Sequence, residues 1–264
     1  MTVPLFDSTT DPGPSFIGLL QALELEPPEL TQSMGSEFAI THGTTVLAIR
    51  YADGVVMAGD RRATSGHLIS HRQMDKVFAA DRHSGVAIAG AAGPAIEMVR
   101  LFQLQLEHYE KVEGSALSLN GKANQLGQML RNHLPAAMQG LAVVPVFAGY
   151  DLALSEGRLF QYDITGGRYE EHDYTSTGSG SLHAGQVIKL GWRHDMSLDD
   201  AAALAISALE QAADSDSATG GPDPMRRIYP IVASITADGF DRLEDADVES
   251  RFQAILQQRT QELR

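Results

Sequence analysis

The sequence has 264 residues, 43% hydrophobic and 20% charged, which is enough chain to bury a substantial core. It contains no apolar run of the roughly eighteen residues that a helical membrane span requires. Acidic residues outnumber basic ones 34 to 20, a net charge of −14 that argues against nucleic acid or an anionic membrane as partner, and the lack of cysteine removes disulfides, thiol nucleophiles and thiolate metal sites together.

The first 43 residues stand apart. They carry Asp7, Asp11, Glu24, Glu26, Glu29 and Glu37 with no Lys or Arg, and five prolines (Pro4, Pro12, Pro14, Pro27, Pro28). Such a segment is read either as a disordered acidic tail or as a removable propeptide. It lacks the basic start of a secretory signal and the arginines of a mitochondrial presequence, so a cytoplasmic location is expected. Within it, Phe16 to Leu20 and Ala22 to Leu25 form two short apolar clusters.

From Thr44 the pattern changes to short strands. Thr44–Ile49 and Val55–Ala58 flank Asp53-Gly54 and predict a hairpin. Lys76–Ala80 and Val86–Ala89 predict a second one. Helices follow at Pro94–Lys111 and Leu119–Met138, where Leu126, Met129, Leu130 and Leu134 fall at helical spacing. Strands are predicted at Val143–Gly149, Leu159–Ile164 and around Tyr169, then helices at Ser181–Leu190 and Ser197–Ala213, the latter opened by Ser197 and Asp200 in capping-box spacing. Strands Ile231–Thr236 and Phe240–Leu243, joined at Asp238-Gly239, precede a terminal helix over Asp247–Glu262. Runs of strands alternating with runs of helices predict an α+β fold, a sandwich of two antiparallel sheets between helix layers.

No Walker loop, dinucleotide fingerprint, His-Glu-x-x-His or Gly-x-Ser-x-Gly motif occurs. The nine histidines have no acidic partner at ligand spacing and are read as surface or structural, with no metal and no cofactor expected. The informative stretch is Gly43-Thr44-Thr45-Val46. A threonine hydroxyl is a weak nucleophile without an adjacent base, and one solution makes that threonine the first residue, so that its own α-amine serves as base. Such an amine titrates near ~8, so unlike an unperturbed lysine it can be neutral in a usable fraction at physiological pH. The chemistry requires cleavage before Thr44, and Gly43 offers a carbonyl that a neighbouring hydroxyl can approach closely.

Beyond this point the motifs accumulate in order: Gly43-Thr44-Thr45, Tyr51 to Asp60, Arg62-Ala63-Thr64, Asp75-Lys76-Val77, Gly90-Ala91-Ala92-Gly93, Gly178-Ser179-Gly180-Ser181 and Asp216 to Gly221. Together they resemble the catalytic β subunit of the proteasome core particle, in its actinobacterial form, over essentially all of the chain after Gly43. The resemblance implies the four-layer αββα fold of the N-terminal nucleophile hydrolases, with a propeptide over 1–43 and the hydrolase domain over 44–264. It implies Thr44 as nucleophile, Asp60 and Lys76 as the acid and amine beside it, and Ser179, Asp216 and Thr219 near its amino terminus. Thr219 stands where the family more often has serine. The Gly90 amide corresponds to the oxyanion donor, and Ala63, Thr64, Met74, Ile88 and Ala92 to the substrate pocket. Neither Thr44 nor Lys76 is expected to be needed to fill the core.

By resemblance the activity is that of a threonine endopeptidase acting on unfolded polypeptides inside a closed chamber. The implied partners are α-subunit rings, other β subunits and a ring-shaped ATPase. Two other readings are a β-type subunit that only completes the ring, and a two-ring bacterial peptidase that works without α subunits. Loss of Gly43, Thr44 or Lys76 would mark the first; the second resembles this chain near Thr44 but is shorter.

Overall fold

Strand β1 (Thr45–Tyr51) turns at Asp53-Gly54 into β2 (Gly54–Gly59), pairing antiparallel from Val46 opposite Gly59 to Tyr51 opposite Gly54. The computed structural model describes residues 43–262 together with Gly13, Gly18, Leu19 and Leu23. A short ribbon, β3 (Ala63–Ser65) and β4 (Leu68–His71), follows. Then come β5 (Val77–Asp81), β6 (Ser84–Gly90), and two helices, α1 (Ala92–Glu113) and α2 (Leu119–Ala137). The chain continues through β7 (Val143–Asp151), β8 (Glu156–Tyr162), β9 (Arg168–Glu171) and β10 (Tyr174–Gly178). Helices α3 (Ser181–Gly191) and α4 (Leu198–Ser215), strands β11 (Ile231–Thr236) and β12 (Gly239–Arg242), and helix α5 (Asp245–Glu262) complete it.

Two five-stranded antiparallel sheets result, one ordered β10-β1-β2-β11-β12 and the other β5-β6-β7-β8-β9. Helices α3, α4 and α5 cover the first sheet and α1 and α2 the second, which gives the αββα sandwich that the sequence predicts. The side-chain alternation of a strand explains why β1 and β2 read as unbroken apolar runs. Val46, Ala48, Val55 and Met57 point between the sheets, whereas Leu47, Ile49, Val56 and Ala58 point toward the helices. Each face is buried, and each fully buried aliphatic side chain contributes about 1.5–3 kcal/mol.

Local signals set the ends. The Ser197 hydroxyl caps α4 by accepting the Asp200 N–H at 3.1 Å, and Ser118 caps α2 through the Gly121 N–H. Helix α1 closes at Gly114 in the left-handed region (φ 69°), its N–H bonded to the Glu110 carbonyl. It begins at Ala92 instead of Pro94, so the proline sits within the first turn, where its missing N–H costs nothing. Strand β10 carries Thr175, Ser176 and Thr177 and has no apolar alternation; it forms by pairing with β1 at the sheet edge.

Pairing of Thr45 with Gly178 and of Val46 with Gly59 brings the start of β1 to the ends of β10 and β2. Of residues 1–42, all but four lie outside the described residues. Leu19 among the four is buried, and its carbonyl accepts the Leu23 N–H at 3.0 Å.

Candidate active site

Thr44 immediately precedes β1 and is buried, 5% exposed. Its hydroxyl donates to the carbonyl oxygen of Gly43 at 2.8 Å, and the Gly43 N–H donates to Thr64 Oγ1 at 3.2 Å. Space as well as hydrogen bonding fixes this segment. A Cβ on Gly43 would lie 1.7 Å from the Ala218 Cβ, and one on Gly178 would lie 1.8 Å from the Thr44 carbonyl oxygen, at a φ of 103° that disfavours side chains.

Asp60 follows the end of β2 and is fully buried. Its carboxylate accepts four donors: the Thr45 N–H at 2.9 Å and Lys76 Nζ at 2.7 Å on Oδ1, and the Arg62 and Gly220 N–H groups, each at 2.8 Å, on Oδ2. Lys76, 1% exposed, also donates to the Arg62 carbonyl at 2.5 Å. Burial pushes the Lys76 amine below its ordinary value, against the opposing pull of Asp60. The pair therefore couples the residue after Thr44 directly to a buried amine. Lys76 departs from expectation in one respect: it is among the largest fully buried side chains, so it fills space as well as carrying charge.

On the other side of Thr44, the Ser179 N–H donates to the Thr44 carbonyl at 2.9 Å, and the Ser179 hydroxyl donates to Asp216 Oδ2 at 2.5 Å. Thr219 Oγ1 also donates to Asp216 Oδ2, at 2.6 Å, and lies 2.6 Å from Thr45 Oγ1. Because Thr219 has one hydroxyl proton and gives it to the carboxylate, Thr45 must be the donor in the second contact. Thr45 Oγ1 in turn accepts the Gly180 N–H at 3.0 Å. The hydrogen bonds thus run in one direction, from Gly180 through Thr45 and Thr219 to Asp216. Burial pushes the Asp216 carboxyl up, but hydrogen bonds from Ser179, Thr219 and the Ala218 N–H, with the nearby His183, outweigh it and hold the group below the usual carboxylate range. The methyl group of Thr219 is accommodated in a fully buried position.

A cavity opens in front of Thr44. Its lining includes Gly43, Thr44, Ala63, Met74, Ile88, Gly90 and Ala92, with Ala89 and Ala95 behind. Gly90 ends β6 with φ 106°, where a Cβ would lie 2.1 Å from the Ala142 carbonyl oxygen. The structure thus brings Thr44, Asp60 and Lys76 to one side, Ser179, Asp216 and Thr219 to another, and the apolar residues around a common pocket. Sequence reasoning missed Thr45, whose hydroxyl is hidden inside a β-branched strand run, and Gly180 and Gly220, whose amides serve the two carboxylate networks.

A family model for proteasome subunits matches residues 40–225, a stretch that holds every one of these residues. The chain belongs to the proteasome subunit family. Among its relatives is the proteasome subunit beta of Acidimicrobium ferrooxidans, 56% identical over 251 residues, covering 94% of this chain and 91% of the relative. The proteasome subunit beta of Jonesia denitrificans is 55% identical over 84% of this chain and 73% of its own length. That of Streptomyces griseus is 56% identical over 84% and 79%. All three proteasome relatives are actinobacterial and carry the beta designation. Among the described residues, no helix is long and apolar enough to cross a membrane.

Proposed function

We propose that the chain is a threonine endopeptidase subunit of a proteasome core particle that frees its own nucleophile by cleaving Gly43–Thr44. The observation that carries this reading is the Thr44 hydroxyl, 2.8 Å from the carbonyl oxygen of the residue before it, at the mouth of an apolar pocket. In processing, Thr44 Oγ1 adds to the Gly43 carbonyl carbon. The C–N bond to Thr44 then breaks, leaving an ester on Oγ1 and a new amine that takes up the hydroxyl proton. Water hydrolyses the ester and releases residues 1–43 as an acid.

In turnover the freed amine accepts the Oγ1 proton as Oγ1 attacks a substrate carbonyl. The oxygen that becomes negative is met by the Gly90 N–H, a fixed dipole aimed at charge that exists only in the tetrahedral intermediate. The leaving amine takes the proton, and water hydrolyses the acyl-threonine. Lys76 supplies positive field near the developing alkoxide, and Asp60 holds it there. Ser179 and Asp216 position the new amino terminus through the Thr44 carbonyl.

The side chain before the scissile bond enters the pocket of Ala63, Met74, Ile88 and Ala92; Thr64, expected in this pocket, does not line it and instead accepts the Gly43 N–H at 3.2 Å. A charged group there loses hydration and gains no partner, so Leu, Phe or Tyr is preferred over Arg or Glu. Hydrolysis of unfolded chains by a site that has no lid among the described residues fits a closed cytoplasmic chamber of stacked β and α rings fed by a ring-shaped ATPase. Exposed apolar side chains support such covered faces: Leu182 and Leu190 on α3 and Met138 after α2 are 70%, 87% and 78% exposed. A fluorogenic panel varied only at the residue before the bond tests the reading: wild type should cut after Leu or Tyr fastest and Thr44→Ala should cut nothing. Equal activity in Thr44→Ala would overturn it.

A further inference from the structure

The apolar pocket does not end at Met74 and Ala92. The same two residues form a wall of a second, wider cleft of about 680 Å³, completed by His71, Arg72, Gln73, Ile96, Arg226 and Ile228. In a chain of net charge −14, this cleft is basic. Arg72 leaves the end of β4, is exposed, and has no ion pair or hydrogen bond among the described residues. It also lines an adjacent smaller cleft with Arg61 and Arg62. Arg61 pairs with Asp245 at 2.7 Å and Arg62 donates to the Ser217 carbonyl at 2.8 Å, and both line the smaller cleft and not the wider one.

Arg226 reaches the cleft from the opposite wall. It stands in a tight turn closed by the Asp223–Ile228 bridge, and Asp223 grips it at 2.7 Å through one terminal nitrogen. That contact orients the guanidinium and leaves its other donors available. His71 is the remaining titratable group on the lining, and among the described residues Asp223, paired to Arg226, is the one carboxylate that lines either cleft.

We infer that this cleft is a substrate subsite selective for an acidic side chain two residues before the one that enters the apolar pocket. The inference rests on the peptidase reading above. An extended polypeptide advances about 3.3 Å per residue with alternating faces, so side chains two apart point the same way, about 7 Å from one another. A chain whose apolar side chain sits on one side of the Met74–Ala92 wall therefore delivers the side chain two residues upstream to the other side. There a carboxylate meets two guanidinium groups, planar donors that match its geometry, while a lysine meets like charge. The first pocket selects an apolar residue by desolvation, and the second reads charge at a solvated surface. The two preferences are independent.

The test uses the assembled, processed enzyme and peptides that share Leu before the bond and differ only two residues upstream: Glu, Gln or Lys. Exposed ion pairs are modest, so kcat/KM should fall about threefold from Glu to Gln and again from Gln to Lys, with the spread collapsing near 1 M salt. Arg72→Ala should bring the Glu-to-Gln ratio close to one, Arg72→Glu should invert it, and Arg72→Lys should keep its sign. Arg226→Ala, in a separate turn, should halve the preference and provides the same reading if Arg72 variants fail to assemble. Hydrolysis with equal rates for Glu, Gln and Lys, or a Glu preference that survives Arg72→Ala with Arg226→Ala, would overturn the subsite alone. No hydrolysis of any peptide by wild type would overturn the peptidase reading and the subsite with it.

Discussion

Lys76 Nζ lies 2.7 Å from Asp60 Oδ1, and both side chains are withdrawn from solvent, at 1% and 0% exposure. A buried pair of this kind is weak evidence for stability, but removing one partner leaves an uncompensated charge and typically costs about 3–5 kcal/mol. Asp60→Ala strands Lys76 and three backbone N–H groups at once, so it should lie at the upper end of that range and lower the melting temperature sharply. Lys76→Ala leaves Asp60 with its three N–H donors but opens a cavity. It should destabilise less while abolishing both processing and peptide hydrolysis. Near wild-type turnover by Lys76→Ala would reduce the pair to a structural role.

Gly43→Ala tests the packing before Thr44. Its Cβ would lie 1.7 Å from the Ala218 Cβ, so the segment must shift and carry the Gly43 carbonyl away from Thr44 Oγ1. The unprocessed fraction, read by intact mass over time, should grow, with cleavage slowed at least about tenfold, the scale expected when reacting atoms are displaced by an ångström or so. Cleavage at the wild-type rate would show that the close contact with Ala218 does not hold the carbonyl in place.

Thr45 is predicted to matter through its hydroxyl. Thr45→Val keeps the shape but leaves the Gly180 N–H without its acceptor and Thr219 without its donor, both in buried surroundings. Loss of about 1–3 kcal/mol is expected, together with reduced kcat as the Asp216 network loosens. Thr45→Ser restores the hydroxyl and should recover most of both. Valine and serine variants with the same melting temperature and kcat would contradict the directed chain.

The Asp216 carboxyl is held below its ordinary value, which fixes the sign of a pH effect. A carboxyl depressed in the folded state adds stability that is complete above the unfolded value of about 3.9 and is lost as pH falls through the folded value. Wild type should therefore exceed Asp216→Asn in stability by a margin that is full at about pH 5 and shrinks below about pH 4. Denaturant unfolding across this range measures it. A margin that grows as pH falls from about 5 to 3 would contradict the assignment.

Much of this architecture is legible in the sequence because both sheets are covered on both faces. The unbroken apolar runs of Val46–Ile49 and Val55–Ala58, interrupted by Asp53-Gly54, leave little alternative to a buried hairpin. The ribbon of Ala63–Ser65 and Leu68–His71 escapes notice because it is short and its second strand is exposed throughout, so no alternation marks it. Strand β10 escapes for a related reason, since its buried residues Thr175 and Thr177 are polar: they pair with Ala48 and Val46 of β1, and Thr175 donates to Gln161 on β8 at 3.0 Å. The site divides in the same way. Thr44 with Gly43 carries a chemical argument of its own, and Asp60, Lys76, Gly90, Ser179, Asp216 and Thr219 follow from the ordered motifs. The roles of Thr45, Gly180 and Gly220 depend on which amide faces which oxygen, a relation between distant segments that no local pattern encodes. The need for glycine at 43 and 178 likewise depends on Ala218 and on Thr44.

The most direct test of the central claim is the amino terminus of the assembled subunit, obtained by co-expression with a candidate α subunit, intact mass and terminal sequencing. The account predicts loss of residues 1–43 and a chain beginning Thr-Thr-Val-Leu in wild type, with the full precursor retained in Thr44→Ala. An active wild-type assembly whose subunit begins anywhere other than Thr44, or a Thr44→Ala chain that still loses residues 1–43 at that bond, would contradict it.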